Sequence, residues 1–238
     1  MNRPTEAQRE QWKREGYLVL ENAMVGDDLR RLQTAFDRCA EESKPGWLER
    51  VEAGVHSAMY FDIPNPLEKD EAFVDLVDHP SWYGFLMDFC GDDLIFLAPQ
   101  VRTVPPSPVS YIGWHPDVPH TTPLHMKVQI YLNDVGPGEG GFAYVPGSHR
   151  KGTGPYPTVH RIDSMPGHRV FTGKAGTAIL FNSYGMHTAV DNRTPVPRKS
   201  IILIYEKWSR EKFNPQRFVA VAPLCATRAR RKLFSLEV

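Results

Sequence analysis

The spacing of apolar residues changes character before the middle of the chain. Up to residue 92 it is mostly helical. Residues 5–15, TEAQREQWKRE, predict a short helix capped by Thr5 and ended by Gly16, and YLVLEN after it reads as a strand. In GDDLRRLQTAFDRCAEES, Leu29, Leu32, Phe36 and Cys39 recur at helical spacing, with Asp27 and Asp28 near the start, where the helix dipole favours them. Residues 44–66 hold several prolines and glycines and predict irregular chain. EAFVDLVDHPSWYGFLMDFCG predicts two helical pieces broken at Pro80 and stopped at Gly91.

After Gly91 the period shortens. DLIFLAPQVRTV, HMKVQIYLND, GFAYVPGS, GTAILFN and RKSIILIYEK read as strands separated by Gly/Pro-rich turns, and VGPGEGGF (135–142) fits a hairpin turn or bulge. In HMKVQIYLND, Met126, Val128, Ile130 and Leu132 take one face, which should pack against a second layer. His125, Lys127, Gln129 and Tyr131 take the other, facing solvent or a cavity. Helices first and many short strands afterwards predict a mainly β fold with flanking helices, a sandwich or barrel. With no repeat or linker, residues 1–238 read as a single domain: 1–92 a mostly helical flank, 93–207 the β core, 208–238 a C-terminal segment. Segment 149–173 is too long for a plain connection and is expected to cover a site.

Composition narrows the class. The 238 residues are 41% apolar and 24% charged, enough for an ordinary core, and Lys+Arg and Asp+Glu are both 28. That balance argues against a nucleic-acid binder. The basic cluster Arg228, Arg230, Arg231 and Lys232 reads as a solvated tail. Cys39, Cys90 and Cys225 lack paired spacing, which points to free thiols in a reducing compartment. The polar N-terminus and the lack of any apolar run near the ~20 residues of a membrane helix predict a cytoplasmic protein with no membrane partner.

The chemistry begins at YIGWHPDVPH. His115 and Asp117 alternate onto one side of extended chain, where they are a structural hydrogen bond, an acid/base pair or two legs of a metal site. His187 follows the strand GTAILF, and Arg198 opens the next strand eleven residues later. Two histidines and a carboxylate on one side of a metal form the triad of non-haem Fe(II) oxygenases. Three protein ligands leave three positions open: two for a chelating 2-oxo acid and one for O2. Cysteine ligands would favour zinc or a different iron chemistry.

WKREGYLVLENAMVGDDLRRLQ, GWHPD, IYLNDVGPGEGGFAYVPGSHRKG and HTAVDNRTPVPRKSIILIYE together resemble the phytanoyl-CoA dioxygenase family of Fe(II)/2-oxoglutarate-dependent oxygenases, which includes the ectoine hydroxylases. GEGGFAYVPGSH is the most specific match, while 44–75 and 205–238 add no motif to the resemblance. The resemblance implies a double-stranded β-helix, or jelly roll, with His115, Asp117 and His187 as iron ligands. It implies Arg198 on the far carboxylate of 2-oxoglutarate, a role for which a planar guanidinium is suited. Arg193 is the rival cation. Ser200, two residues beyond Arg198, is expected to help, as are Lys127 and Gln129, although relatives often carry Trp at the place of Gln129. APQVRTVPP is similar to a Gln-x-Arg stretch of ectoine hydroxylases, making Gln100 and Arg102 candidate substrate contacts, with His120 at the entrance. His149 belongs to a turn. His56, His79, His160 and His168 are surface or satisfied core residues.

The implied reaction is hydroxylation, or desaturation, of a small polar metabolite, with release of succinate and CO2. Asp117 argues against halogenation, because halogenating relatives replace this carboxylate with a small residue so that chloride can bind iron. The rivals are a cupin-like metal enzyme that does not use 2-oxoglutarate, a non-catalytic metal- or ligand-binding member of the fold, and a β-sandwich binding module with an accidental His/Asp pattern.

Overall fold

The computed structural model describes residues 1–91, 93–106, 113–157 and 165–237. Helix α1 (Glu6–Glu15) opens with a capping box. Thr5 accepts from the Gln8 N–H, the Gln8 side chain returns to the Thr5 backbone, and Gly16 ends the helix in the left-handed region at φ 82°. Strand β1 (Tyr17–Leu20) follows, then α2 (Gly26–Glu52), which buries Leu32, Ala35, Phe36 and Cys39 along one stripe.

The expectation of irregular chain from residue 44 is corrected here: α2 continues through Pro45 to Glu52. Pro45 removes one backbone donor, but it is exposed, so the carbonyl it leaves free one turn earlier stays hydrated. Trp47 packs on Phe61 at 5.4 Å between ring centroids and donates from Nε1 to Ser57 O at 3.3 Å, tying the last turns down. Strand β2 (Phe61–Asp62) and helices α3 (Pro66–Lys69), α4 (Glu71–Asp75) and α5 (Tyr83–Cys90) complete the flank, with Gly91 ending α5 as expected.

The core strands are β3 (Leu94–Val104), β4 (His125–Tyr131), β5 (Phe142–Tyr144), β6 (Arg169–Phe171), β7 (Ala178–Asn182), β8 (His187–Ala189) and β9 (Arg198–Lys207). They form an antiparallel six-stranded sheet, β1-β7-β4-β9-β3-β2, and a three-stranded sheet, β6-β5-β8. This is a jelly roll. Met126, Val128, Ile130 and Leu132 join Leu180, Leu203 and Tyr205 against the helices, in one core with Phe36, Phe73 and Trp82. The opposite face of the large sheet meets the small sheet in a second core of Tyr131, Ile179 and Phe181 with Phe142, Tyr144 and Phe171. The polar side chains of β4 therefore look between the sheets and not to solvent.

The C-terminal basic cluster is also corrected. It lies on α6 (Arg228–Leu233), after a 3-10 helix at Val219–Leu224, and it is docked. Leu233 and Phe234 are buried, and Arg230 bridges Asp75 at 3.1 Å and Asp78 at 3.4 Å and donates to Val74 O. Cys39, Cys90 and Cys225 are free and buried. Among the described residues no helix is long and apolar enough to cross a membrane.

Candidate metal centre

Backbone pairing assembles the site. His115 forms an isolated antiparallel bridge with His187 at the start of β8, and each N–H donates to the other's carbonyl, at 3.1 and 3.0 Å. Asp117 N–H donates to Ser183 O at 2.8 Å, just past the end of β7. The PGSH turn supports the same place. The Ser148 hydroxyl donates to Val145 O at 2.6 Å and accepts the Met186 N–H at 2.8 Å, one residue before His187. His149 lies in this turn, as expected, and packs against Gly16, where a β-carbon would collide with its ring.

In both histidines Nδ1 lies against the carbonyl of a glycine two residues back: Gly113 at 2.9 Å and Gly185 at 2.8 Å. With Nδ1–H donating there, each Nε2 keeps its lone pair for a ligand. His187 Nε2 is 3.2 Å from Asp117 Oδ2, and His115 Nε2 is 3.9 Å from Oδ1. One ligand atom from each of the three residues lies within 4.8 Å of the others, a spacing that a single divalent ion can bridge. Two imidazoles and a carboxylate, with no thiolate, suit ferrous iron. The His187 ring is held by Phe181 at 5.0 Å and Phe142 at 5.8 Å. Burial, then the charge of His187, holds the His115 imidazole below its ordinary pKa and so favours the neutral, ligating form. Burial works against the Asp117 carboxylate, yet His187 and Lys127 outweigh it and keep Asp117 well below the usual carboxylate range.

The three residues open onto a cavity of about 100 Å3 whose wall includes Gln100, Arg102, Lys127, Gln129 and Arg198. Arg198 is 2% exposed, and its Nε and Nη1 have no partner among the described residues; the same holds for the buried Ser200 Oγ and Gln129 Nε2. Burial pushes the Arg198 guanidinium down to about 10, with the Tyr131 hydroxyl beside it acting in the opposite direction. Such orphaned donors inside a fold are places for a ligand or an ordered water. Arg193, the rival cation, is exposed and lies 3.9 Å from Asp191, so of these two it is Arg198 that lines the cavity.

Two other candidates, Arg102 and Lys127, line the cavity with ion partners already in place, and a third, His120, does not line it. Arg102 faces the cavity, but Asp62 holds it bidentately, at 2.7 Å in both bonds, over the Tyr60 ring at 4.0 Å. Lys127 donates to Asp117 Oδ1 at 2.6 Å, so its ammonium already has a partner beside the metal position. His120 is exposed and does not line the cavity. His160 lies outside the described residues, and His168 is satisfied by Met165 O at 2.7 Å. Of segment 149–173, residues 169–171 form β6, and Arg150, Thr153 and Tyr156 share a separate pocket with Pro116, Val118 and Met186, the neighbours of Asp117 and His187. The sequence reading missed Asp62, Tyr60, Phe142 and the two glycine carbonyls. The repeated Gly-x-His of GWH and GMH was the available signal for the last of these.

A family model described as phytanoyl-CoA dioxygenase (PhyH) matches residues 12–200. An ectoine dioxygenase from Nocardia farcinica is 25% identical over 239 residues, spanning 88% of this chain and 80% of that protein. Among solved structures, the non-heme alpha ketoglutarate dependent carbocyclase SnoK from nogalamycin biosynthesis superposes with a TM-score of 0.67 at 19% identity, covering 86% of this chain and 84% of that one. EctD from S. alaskensis, with 2-oxoglutarate and 5-hydroxyectoine, gives 0.66 at 22% identity, covering 85% and 76%.

Proposed function

From the premise that the chain belongs to the phytanoyl-CoA dioxygenase family, we propose that it is a non-haem iron, 2-oxoglutarate-dependent dioxygenase that hydroxylates a small polar metabolite. His115, Asp117 and His187 hold Fe(II) from one side. The Arg198 guanidinium takes the far carboxylate of 2-oxoglutarate, with Ser200 Oγ and Gln129 Nε2 as further donors. The observation that carries this reading is the pair of unpartnered Arg198 donors, buried in the same small cavity onto which the two Nε2 atoms and the Asp117 carboxylate open.

Iron bound there supplies activation of O2, coupled to oxidative decarboxylation of 2-oxoglutarate to succinate and CO2, with the second oxygen atom going to substrate. The chain's own residues do the rest. The Gly113 and Gly185 carbonyls orient the imidazoles. Phe142, Phe181 and Ile202 exclude water from the cavity wall. Asp62 fixes the Arg102 side chain, which with Gln100 gives the wall a polar surface for substrate. A wall of this size and polarity favours a compact polar molecule over a long acyl chain, in keeping with relatives named for ectoine.

Anaerobic addition of Fe(II) and 2-oxoglutarate should produce a weak visible charge-transfer band, and a metabolite screen should find substrates that stimulate succinate release. A band without 2-oxoglutarate turnover by any substrate would favour a non-catalytic member of the fold. Turnover of O2 with no succinate would favour a cupin-like enzyme.

A further inference from the structure

The two oxygens of the Asp117 carboxylate have different neighbours. Oδ2 stands 3.2 Å from His187 Nε2, whereas Oδ1 is 3.9 Å from His115 Nε2, the longer of the two approaches. Oδ1 accepts from Lys127 Nζ at 2.6 Å. The Lys127 side chain is 8% exposed and enters from the middle of the large sheet, its Cα opposite Phe181 of β7 and Ile204 of β9. Resting on the reading that the triad binds iron, we propose that Lys127 is a positioning residue for that metal: it occupies Asp117 Oδ1, so that the carboxylate offers the ion a single oxygen.

A carboxylate can bind a cation through one oxygen or two. With two, Asp117 would take a fourth metal position and leave too few for a chelating oxo acid and O2 together. A charged ammonium is suited to prevent this, because it has three donors and no lone pair with which to ligate the metal itself. The pairing also answers a structural problem, since a lysine in mid-sheet must have a counter-charge, and Asp117 supplies it. This role differs from direct contact with 2-oxoglutarate, because it operates on the metal before any cosubstrate arrives.

The test uses the full chain loaded with Mn(II), without 2-oxoglutarate, reading water-proton relaxivity per bound ion as a count of metal-bound waters. Lys127→Met and Lys127→Leu, which have no donor, should each lower it by about a third, as three open positions become two, while Lys127→Arg keeps the wild-type value. The Kd of the Mn(II) protein for 2-oxoglutarate should rise about tenfold or more in Met and Leu alike. Wild-type relaxivity in a folded Met or Leu variant overturns the assignment, and either variant alone decides it. If wild-type protein binds no Mn(II) that His187→Ala removes, the metal reading itself fails, and the Lys127 role with it.

Discussion

His115 and His187 exchange both backbone hydrogen bonds across their bridge while their ring centroids stand 4.6 Å apart. One main-chain contact thus brings together two ligands that are far apart in sequence. The two side chains nevertheless differ in setting, 42% exposed for His115 and 7% for His187. His187→Ala should leave a void among Phe142, Tyr144 and Phe181 and cost about 2 kcal/mol or more in a urea melt. His115→Ala should cost less than about 1 kcal/mol. Both should abolish the Fe(II)/2-oxoglutarate absorption band. A band that survives either change would remove that residue from the triad.

Arg198 is a buried cation whose Nε and Nη1 have no partner among the described residues. Arg198→Met keeps the volume and deletes the charge, so the ligand-free variant should be at least as stable as wild type. It should also lose most of the rise in Tm that 2-oxoglutarate gives the wild-type metal complex, with a cosubstrate Kd raised about a hundredfold, or ~3 kcal/mol. Metal affinity measured without 2-oxoglutarate should not move. A variant whose Tm still rises normally with 2-oxoglutarate would move the cosubstrate elsewhere.

Gly185 does two things at once. Its carbonyl accepts from His187 Nδ1, and its missing β-carbon makes room for the Tyr144 hydroxyl, which donates to Asn182 O at 3.0 Å. Gly185→Ala should therefore destabilise the fold by about 2–3 kcal/mol and weaken metal binding, although it changes no ligand. Adding Tyr144→Phe should recover part of the stability in a double-mutant cycle. Full additivity of the two changes would refute the contact.

Much of this was legible along the chain because local chemistry and global fold agree there. Thr5 and Gly16 bound α1, and the alternation of β4 put Lys127 and Gln129 on one face, opposite the apolar core face. Pro45 misled because a proline signals a lost hydrogen bond, whereas exposure decides whether that loss matters. Strands β6 and β8 are three residues each, too short for a period to register, although β8 carries His187. Arg230 looked like solvated charge because its partners, Asp75 and Asp78, lie about 150 residues upstream. The pairing of Arg102 with Asp62 is hidden in the same way: no spacing rule connects β2 to β3.

His125 closes the row of β4 side chains next to the metal position. It is 9% exposed, its Nδ1 has no partner among the described residues, and burial, reinforced by the charge of Lys127, pushes its pKa down to about 4. In the unfolded chain the same imidazole titrates near ~6.5. Between those values the unfolded state binds the proton and the folded state does not, so stability is present above pH ~6.5 and falls as the solution is acidified toward pH ~4. Integrated from neutrality to pH ~5, this one group is worth roughly 2 kcal/mol. His115, His79 and His149 are shifted in the same direction, so they add to the slope and do not cancel it. His125→Leu should flatten the decline in urea-melt stability between pH ~7.5 and ~5 relative to wild type by about that amount. An unchanged slope would mean that His125 takes up a proton in the folded protein, with Glu206, its buried cross-strand neighbour, as the acceptor at hand.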